Sequence, residues 1–309
     1  MEVFKSLDVA RGKFSRPVVT MGNFDGVHKG HQVILAQVRS DADRLGVAAV
    51  ALTFDPHPVA VLRPEAAPRL LMSLKDRLDG LASCGLDATV VQTFTDEFAA
   101  TDADVFVSRF LVGVLDTQKM VVGHDVNFGR DRSGSIETLV GAGALHGFDV
   151  DVVSPVLVGG TVVHSNVVRD KVARGEVVEA AALLGRPHVV RGHVVRGAGR
   201  GTGLGFATAN LKAETEAVPA DGVYVTRAVV GGKHIDGVTS IGHTPTFGGD
   251  ETAIEVHLFS DCGDLYGQEI AVEFFERVRG QQKFADADAL VAQIKLDVET
   301  ARKVLGRRP

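Results

Sequence analysis

The first half of the chain alternates between uninterrupted apolar runs and amphipathic segments. Four runs have the length and composition of buried strands: 17–22, 47–54, 88–94 and 119–125. Three intervening segments carry apolar residues near i, i+3 and i+4, as helices do: 29–46, 73–85 and 102–115. Apolar strands that alternate with amphipathic helices indicate βαβ units, so we predict an α/β domain with a parallel sheet covered on both faces.

After residues 183–192 the pattern changes to short runs of alternating apolar and polar residues. These runs are 222–230, 253–260 and 269–275, and Gly- and Asp-containing turns separate them. Such a pattern is typical of an antiparallel barrel or sandwich. Residues 286–305 form a last amphipathic segment, which predicts a terminal helix. We therefore predict two domains, 1–186 and 187–309, and the length of 309 residues agrees with two domains of ordinary size.

Composition and charge narrow the classes of partner. The formal net charge is -6 and no long Lys/Arg block occurs, which disfavours sequence-independent nucleic-acid binding. The N-terminal residues lack the apolar core of a signal peptide, and no run of about 18 apolar residues occurs. We expect a cytoplasmic protein with no membrane partner. Cys84 and Cys262 are far apart and form no CxxC motif, so we expect reduced packing residues.

One loop carries candidate chemistry, the segment TMGNFDGVHKGHQ at residues 20–32. It lies between the first predicted strand and the first predicted helix, where the backbone N–H groups of a helix N-terminus attract phosphate. Gly22 and Gly26 permit tight turning, and Gly30 lets a phosphate approach the backbone. The position of the loop therefore predicts a phosphate site.

Two histidines in this loop are spaced for joint action. His28 and His31 are three residues apart, so their rings share one face of a helix and can both donate to a polyphosphate. We expect them to stabilise charge developing on an α-phosphate and a leaving pyrophosphate. Two alternatives remain open: a metal site, although a third ligand is not evident nearby, and a pair of merely packed histidines.

The loop and eight further motifs resemble the prokaryotic bifunctional riboflavin kinase/FAD synthetases. The motif GNFDGVHKGHQ is similar to the family signature GxFDGxHxGH. The others follow in the family's order over nearly the whole chain: LTFDPHP (52–58), VVGHDVNFGRDRSG (121–134), LLGRP (183–187), GLGFATANL (203–211), DGVYV (221–225), IGHTPTF (241–247), EVHLF (255–259) and DLYGQ (264–268).

For the first domain, the resemblance implies a Rossmann-like HxGH nucleotidyltransferase that joins the AMP part of ATP to FMN with Mg²⁺ and releases pyrophosphate. The residues that match nucleotide-binding and catalytic positions are Gly22, Asn23, Asp25, Gly26, His28, Gly30 and His31. Those that match flavin-binding positions are Asp55, His57, Asp125 and Phe128. Without the resemblance, Asp55 and Asp125 would be ordinary turn formers at strand ends.

The segment HSNVVR, residues 164–169, departs from the family pattern SSTxIR. Ser165 and Arg169 match, whereas His164 and Asn166 replace the first Ser and the Thr. The resemblance implies that Ser165, Asn166 and Arg169 bind nucleotide. Arg169 can form charge-assisted bonds to phosphate, and each hydroxyl that is lost from the family pattern costs about 1–3 kcal/mol of binding.

For the second domain, the resemblance implies a riboflavin kinase β-barrel that transfers the γ-phosphoryl group of ATP to the ribityl 5′-hydroxyl of riboflavin. Thr208 and Asn210 match the residues that hold Mg²⁺ and phosphates, Gly205 matches a nucleotide-binding position, and Glu255 matches the catalytic base. Ala207 replaces the proline of the PTAN motif, and Gln281 replaces a common acidic residue. Alone, Glu255 on an alternating strand would be a solvated side chain.

The leading hypothesis is a bifunctional enzyme that converts riboflavin to FMN and FMN to FAD, with ATP, Mg²⁺ and flavins as its small-molecule partners. Two alternatives remain: a diverged paralogue with one activity lost or with another nucleotide or flavin analogue, and a non-catalytic flavin-binding regulatory protein. The family also implies a possible homo-oligomer.

Overall fold

The computed structural model describes residues 1–196, 208–246, 249–260 and 262–306, without the side chains of 243–246 and 249–251. The chain folds into two compact units. The first, unit 1, contains Met1–Arg69 and Leu74–His164. The second, unit 2, contains Leu70–Ser73 and Ser165–Pro309. Within the described residues, no helix combines the length and the apolar character needed to cross a membrane.

Unit 1 is built on a six-stranded parallel sheet with the order β1-β4-β3-β2-β5-β6. The strands are β1 (Glu2–Phe4), β2 (Val18–Met21), β3 (Ala49–Asp55), β4 (Ala88–Thr93), β5 (Lys119–Gly123) and β6 (Asp149–Val153). A small antiparallel pair follows, β7 (Leu157–Val158) and β8 (Thr161–Val162). The predicted parallel sheet is confirmed, and its central strands β2, β3 and β5 are nearly all buried, as uninterrupted apolar runs predict.

The connections of unit 1 are mainly helical. They are α1 (Leu7–Ala10), α2 (Lys29–Leu45), α3 (Pro58–Leu62), α4 (Leu74–Ser83), α5 (Asp96–Ala99), α6 (Ala103–Val105) and α7 (Ile136–His146). A short 3-10 turn occurs at Pro64–Ala66, a turn with positive φ at Asp131 and Arg132 spans Arg130–Arg132, and a π-helical segment spans Phe106–Val112. The predicted helix at 102–115 is thus wound partly as a π-helix.

A buried ion-pair network ties helix α2 to strand β5. Lys119 Nζ lies 3.0 Å from Asp41 Oδ2 and 2.6 Å from Asp151 Oδ2. Burial alone would raise the pKa of Asp41, but hydrogen bonds from Arg44, Gln37 and Lys119 lower it to about 2. The network therefore holds α2, which carries His31, against the strand that leads to Asp125.

Unit 2 contains a closed six-stranded barrel with the order β10-β13-β12-β11-β14-β9, and its described pairings are antiparallel. Its strands are β9 (His188–Val195), β10 (Ala209–Ala213), β11 (Gly222–Val230), β12 (Lys233–Thr246), β13 (Gly249–Leu258) and β14 (Glu269–Arg279). Helix α10 (Ala287–Leu305) ends the described chain and begins at Asp286, whose side chain accepts from Ala289 N–H. The predicted barrel and terminal helix are confirmed.

Two helices precede the barrel, α8 (Ser165–Ala173) and α9 (Val177–Leu184). Val177 belongs to the same buried cluster as the barrel residues Val190 and Tyr224, which explains why these helices belong to unit 2. Apart from Leu70–Ser73, which belongs to unit 2, the division between the two units therefore falls after His164. The predicted functional boundary between 186 and 187 stays a prediction.

A buried histidine at the start of β9 makes the stability of the barrel pH-dependent. His188 Nε2 lies 2.7 Å from the carbonyl oxygen of Ala217, so its N–H donates to that oxygen. Burial is the main reason that the pKa of His188 falls to about 4. Above this value the native ring is neutral, whereas an unfolded histidine takes up a proton below about 6.5. Between these values the unfolded chain binds more protons, so stability falls with falling pH.

We expect the free energy of unfolding of the barrel to decrease by about 2 kcal/mol from this group between pH 7 and pH 5. Tyr224 and Tyr266 both lie in unit 2, so tyrosine fluorescence during urea unfolding reports on this unit alone. His188→Gln stays neutral and should flatten the pH dependence, whereas the exposed control His234→Gln should not. An unchanged slope in His188→Gln would contradict the assignment.

Candidate active sites

The loop between β2 and α2 has an unusual backbone. Gly26 has φ 86°, a conformation that favours glycine. Phe24 and Val27 also have positive φ, 51° and 38°, which is strained for an aromatic and a β-branched residue. Surrounding contacts must therefore impose this conformation.

Arg77 on helix α4 is one source of those contacts. Its guanidinium Nη1 donates to the Asn23 carbonyl oxygen at 2.9 Å, and Nη2 lies 3.3 Å from Asp55 Oδ1. The residue is only 4% exposed. Burial lowers the pKa of Arg77, and the charges of Asp55 and Asp25 oppose that shift.

Arg77 contacts both of the predicted substrate loops, and the sequence did not predict this role. The available signal was its position between Leu74 and Leu81 on the apolar face of the predicted helix.

Asn23 and His57 also connect the two loops. Val59 N–H donates to His57 Nδ1 at 3.2 Å. The side-chain Nδ2 of Asn23 lies 3.1 Å from His57 Nε2. The predicted nucleotide and flavin residues thus meet at the carboxyl ends of β2 and β3.

His28 begins helix α2 as its N-cap. Its Nδ1 accepts the backbone N–H of His31 at 3.3 Å, which places the ring proton on Nε2. The rings of His28 and His31 stack with centroids 3.6 Å apart and an interplanar angle of 13°. The predicted pairing of the two rings is therefore present, although His28 caps the helix instead of lying within it.

The ring of His31 has a buried nitrogen atom that forms no hydrogen bond with the described residues. Its Nδ1 has no hydrogen-bond partner among the described residues. The pKa of His31 is well below 6.5, first because of burial and then because of the neighbouring His28 and His164. The ring is therefore neutral at pH 7 and has hydrogen-bonding capacity left for a ligand.

Because Gly30 has no side chain, neighbouring atoms of the protein itself approach its Cα closely. A Cβ atom at this position would lie 3.1 Å from the His28 ring and 3.3 Å from the Val163 carbonyl oxygen. The glycine thus allows helix α2 to begin close to the end of the β7–β8 pair. A phosphate approach at Gly30, expected from the sequence, stays a prediction. Gly22 contacts the Phe24 ring, where a Cβ atom would lie at 3.3 Å.

Of the two predicted flavin-binding residues that follow β5, Asp125 is exposed and Phe128 is buried. Asp125 is exposed and its Oδ2 lies 3.5 Å from His164 Nδ1. Phe128 is 8% exposed and packs on Phe106 with ring centroids 5.4 Å apart. Asp125 is therefore accessible to a ligand, whereas Phe128 belongs to the buried core of unit 1.

Ser165, Asn166 and Arg169 belong to helix α8 of unit 2. Within that helix the Arg169 guanidinium Nη1 donates to Asn166 Oδ1. Asn166 thus orients the arginine of the HSNVVR segment. Their contact with a nucleotide stays a prediction.

In the barrel, strand pairing brings two distant predicted residues together. Asn210 on β10 is the direct cross-strand partner of Glu255 on β13. Ile254 and Val256 point into the barrel core, so Glu255 lies on the outer face with Asn210. Thr208 is partly buried and lies immediately before β10. Gly205 and Ala207 lie outside the described residues.

Gln281 extends this row of residues on the outer face. Ser240 on β12 is the cross-strand partner of Glu255 on the side opposite Asn210. Gln281 Nε2 donates to Ser240 Oγ at 3.0 Å and to the Ile241 carbonyl oxygen at 2.6 Å. The glutamine therefore holds the backbone next to Glu255 without adding a charge.

Two known protein families match separate parts of the chain, and the matches change over near the division between unit 1 and unit 2. A sequence model of the FAD synthetase family matches residues 11–167, and one of the riboflavin kinase family matches residues 184–305. The crystal structure of a Streptococcus pneumoniae protein described as a macrolide-efflux protein has a TM-score of 0.89 and 32% sequence identity, over 97% of this chain and 98% of that chain. That description concerns the other protein.

Curated relatives share the order of both parts. Bifunctional riboflavin kinase/FMN adenylyltransferases from Pseudomonas fluorescens and Escherichia coli K12 are 38% and 37% identical, covering 98% and 94% of this chain and 97% and 93% of theirs. The Bacillus subtilis protein of the same name is 31% identical over 93% of this chain and 92% of its own length. The chain therefore belongs to the bifunctional riboflavin kinase/FMN adenylyltransferase family.

Proposed function

We propose that this chain makes FMN from riboflavin and ATP on its barrel and makes FAD from FMN and ATP on its parallel-sheet unit, with release of pyrophosphate. The observation that carries the proposal is the separation of two residue sets, each within the family match for one activity. His28 and His31 lie in the first set, and Asn210 and Glu255 lie in the second. The chain is thus a transferase with two chemical steps.

In adenylyl transfer, the phosphate oxygen of FMN attacks the α-phosphorus of ATP and pyrophosphate leaves. His28 Nδ1 accepts the backbone N–H of His31, so the ring proton of His28 lies on Nε2. His31 is neutral and has a buried ring nitrogen without a partner among the described residues. We assign both rings to hydrogen bonding with the triphosphate, where donors stabilise the developing charge. Asp55, His57 and Asp125 are assigned to the flavin, and Arg77 positions Asp55 and Asn23.

In the kinase step, the ribityl hydroxyl of riboflavin attacks the γ-phosphorus of ATP. Glu255 is exposed on the outer face of the barrel and is assigned as the base that accepts the hydroxyl proton. Its cross-strand partner Asn210 and the nearby Thr208 supply oxygen atoms, which are the ligands that Mg²⁺ prefers. When bound there, Mg²⁺ would neutralise charge on the phosphates. Glu255 itself holds the proton at its carboxylate while the hydroxyl oxygen bonds to phosphorus.

The replacements at His164, Asn166 and Ala207 favour a second candidate, a paralogue in which nucleotide choice or one activity has changed. Asn166 accepts from Arg169, so the phosphate-binding arginine has an intramolecular partner that would compete with nucleotide. A cytoplasmic location, the absence of nucleic-acid and membrane partners, and a possible homo-oligomer remain predictions from the sequence.

One assay separates these candidates from a non-catalytic flavin-binding protein. The purified chain is incubated with riboflavin, Mg²⁺ and each of the four nucleoside triphosphates, and the flavins are resolved by chromatography. We expect FMN and then FAD with ATP. A single step, or a different dinucleotide, would identify a specialised paralogue, and unchanged riboflavin with every nucleotide would contradict both enzymatic proposals.

A further inference from the structure

Three potential metal ligands converge beside the nucleotide loop of unit 1. They are His124, Asp125 and His164, and their ligand atoms all lie within 4.8 Å of one another. His164 Nδ1 and Asp125 Oδ2 are 3.5 Å apart. Ligands of a tetrahedral zinc ion are separated by about 3.4 Å, given bonds of about 2.1 Å. One pair thus has the required spacing already.

The backbone holds these side chains in place from two directions. His124 and Asp125 occupy the centre of a turn closed by the hydrogen bond from Val126 N to Gly123 O at 3.2 Å. On the other side, Val163 is buried and its N–H donates to the Val156 carbonyl oxygen at 2.9 Å, which fixes the residue before His164. His124 and Asp125 are exposed at their side chains, so rotation about side-chain bonds can bring the third ligand to bonding distance.

We propose that His124, Asp125 and His164 bind one divalent transition-metal ion of the Zn²⁺ class. Two imidazole nitrogens and one carboxylate oxygen suit Zn²⁺, Co²⁺ or Ni²⁺, whereas Mg²⁺ prefers oxygen ligands alone. The site is therefore distinct from the Mg²⁺ position assigned to Thr208 and Asn210. Three protein ligands leave a coordination position open to water or to an oxygen of a phosphate.

Metal binding at this site should affect FAD formation, an expectation that rests on the proposed function. Asp125 is assigned to the flavin, and a metal ion that binds its carboxylate withdraws it from that contact. Micromolar Zn²⁺ should therefore inhibit FAD formation from FMN while FMN formation on the barrel continues. The family pattern has serine at the position of His164, so the inhibition should be a property of this chain.

Metal binding is tested without reference to activity. The chain is freed of metal with a chelator, and Co²⁺ is added while visible absorption is recorded; Zn²⁺ binding is then measured by calorimetry. We expect one ion per chain with the visible bands of a nitrogen- and oxygen-liganded Co²⁺. His164→Ser should weaken binding at least about tenfold, since loss of even an outer-shell partner weakens metal sites 10–100-fold.

The matched control is His146→Ser, which removes an exposed histidine of the same unit outside the cluster. It should bind Co²⁺ and Zn²⁺ as the unmodified chain does. Equal losses of metal affinity in both variants, or unchanged metal binding in His164→Ser, would contradict the proposed metal site. Co²⁺ binding without any conversion of flavins would still support the metal site and would contradict only the proposed function.

Discussion

Replacing His31 by alanine should lower the rate of FAD formation from FMN and ATP by about 10²–10³-fold, the usual cost of removing one donor from a charge-stabilising site. The ring stacks on His28 and packs edge-on against Phe24, at 3.6 and 5.2 Å between centroids. Its Nδ1 makes no hydrogen bond within the described protein, so alanine breaks no hydrogen bond at that atom. The loss should therefore be mainly catalytic. Initial rates with supplied FMN, measured by chromatography of FAD, give the result.

The controls separate catalysis from helix capping. His28→Asn removes the ring but keeps a good N-cap residue, so it should lower the same rate while helix α2 still begins at Lys29. The exposed His146→Ala should leave the rate unchanged. All three variants should still form FMN from riboflavin. A His31→Ala protein that makes FAD at the unmodified rate would exclude His31 as a phosphate donor.

Replacing Glu255 by glutamine should lower FMN formation by about 10²–10⁴-fold, the range associated with loss of a general base. Glutamine has nearly the same shape but does not accept the proton of the ribityl hydroxyl. Glu255 lies on the outer face of β13, and the substitution leaves the buried neighbours Ile254 and Val256 untouched. The measurement is the initial rate of FMN formation from riboflavin and ATP.

Glu276→Gln is the matched control, because Glu276 is exposed on β14 of the same barrel and pairs with Val225 instead of Asn210. It should retain the kinase rate. Both variants should convert supplied FMN to FAD normally, since that step belongs to the other unit. Full kinase activity in Glu255→Gln would show that another group accepts the proton.

Much of the fold was predictable because it depends on short-range periodicity. The apolar run at 17–22 contains β2, and the amphipathic segment 29–46 contains α2, with ends displaced by only a residue or so. Strand β1, three residues long at the edge of the sheet, has too weak a pattern to be recognised. The π-helical winding at Phe106–Val112 was equally hidden, because apolar spacing does not distinguish it from an α-helix.

By itself, the sequence determined the two fold classes, the order of the motifs and the adjacency of His28 and His31, because each depends on neighbouring residues. Only the tertiary structure decided which distant groups meet. Asn210 and Glu255 pair through strand register, and Arg77 reaches Asn23 and Asp55 from a separate helix. His164 approaches Asp125 in the same way, from almost forty residues further along the chain. Register and packing depend on long-range distances, which a local pattern of apolar and polar residues does not encode.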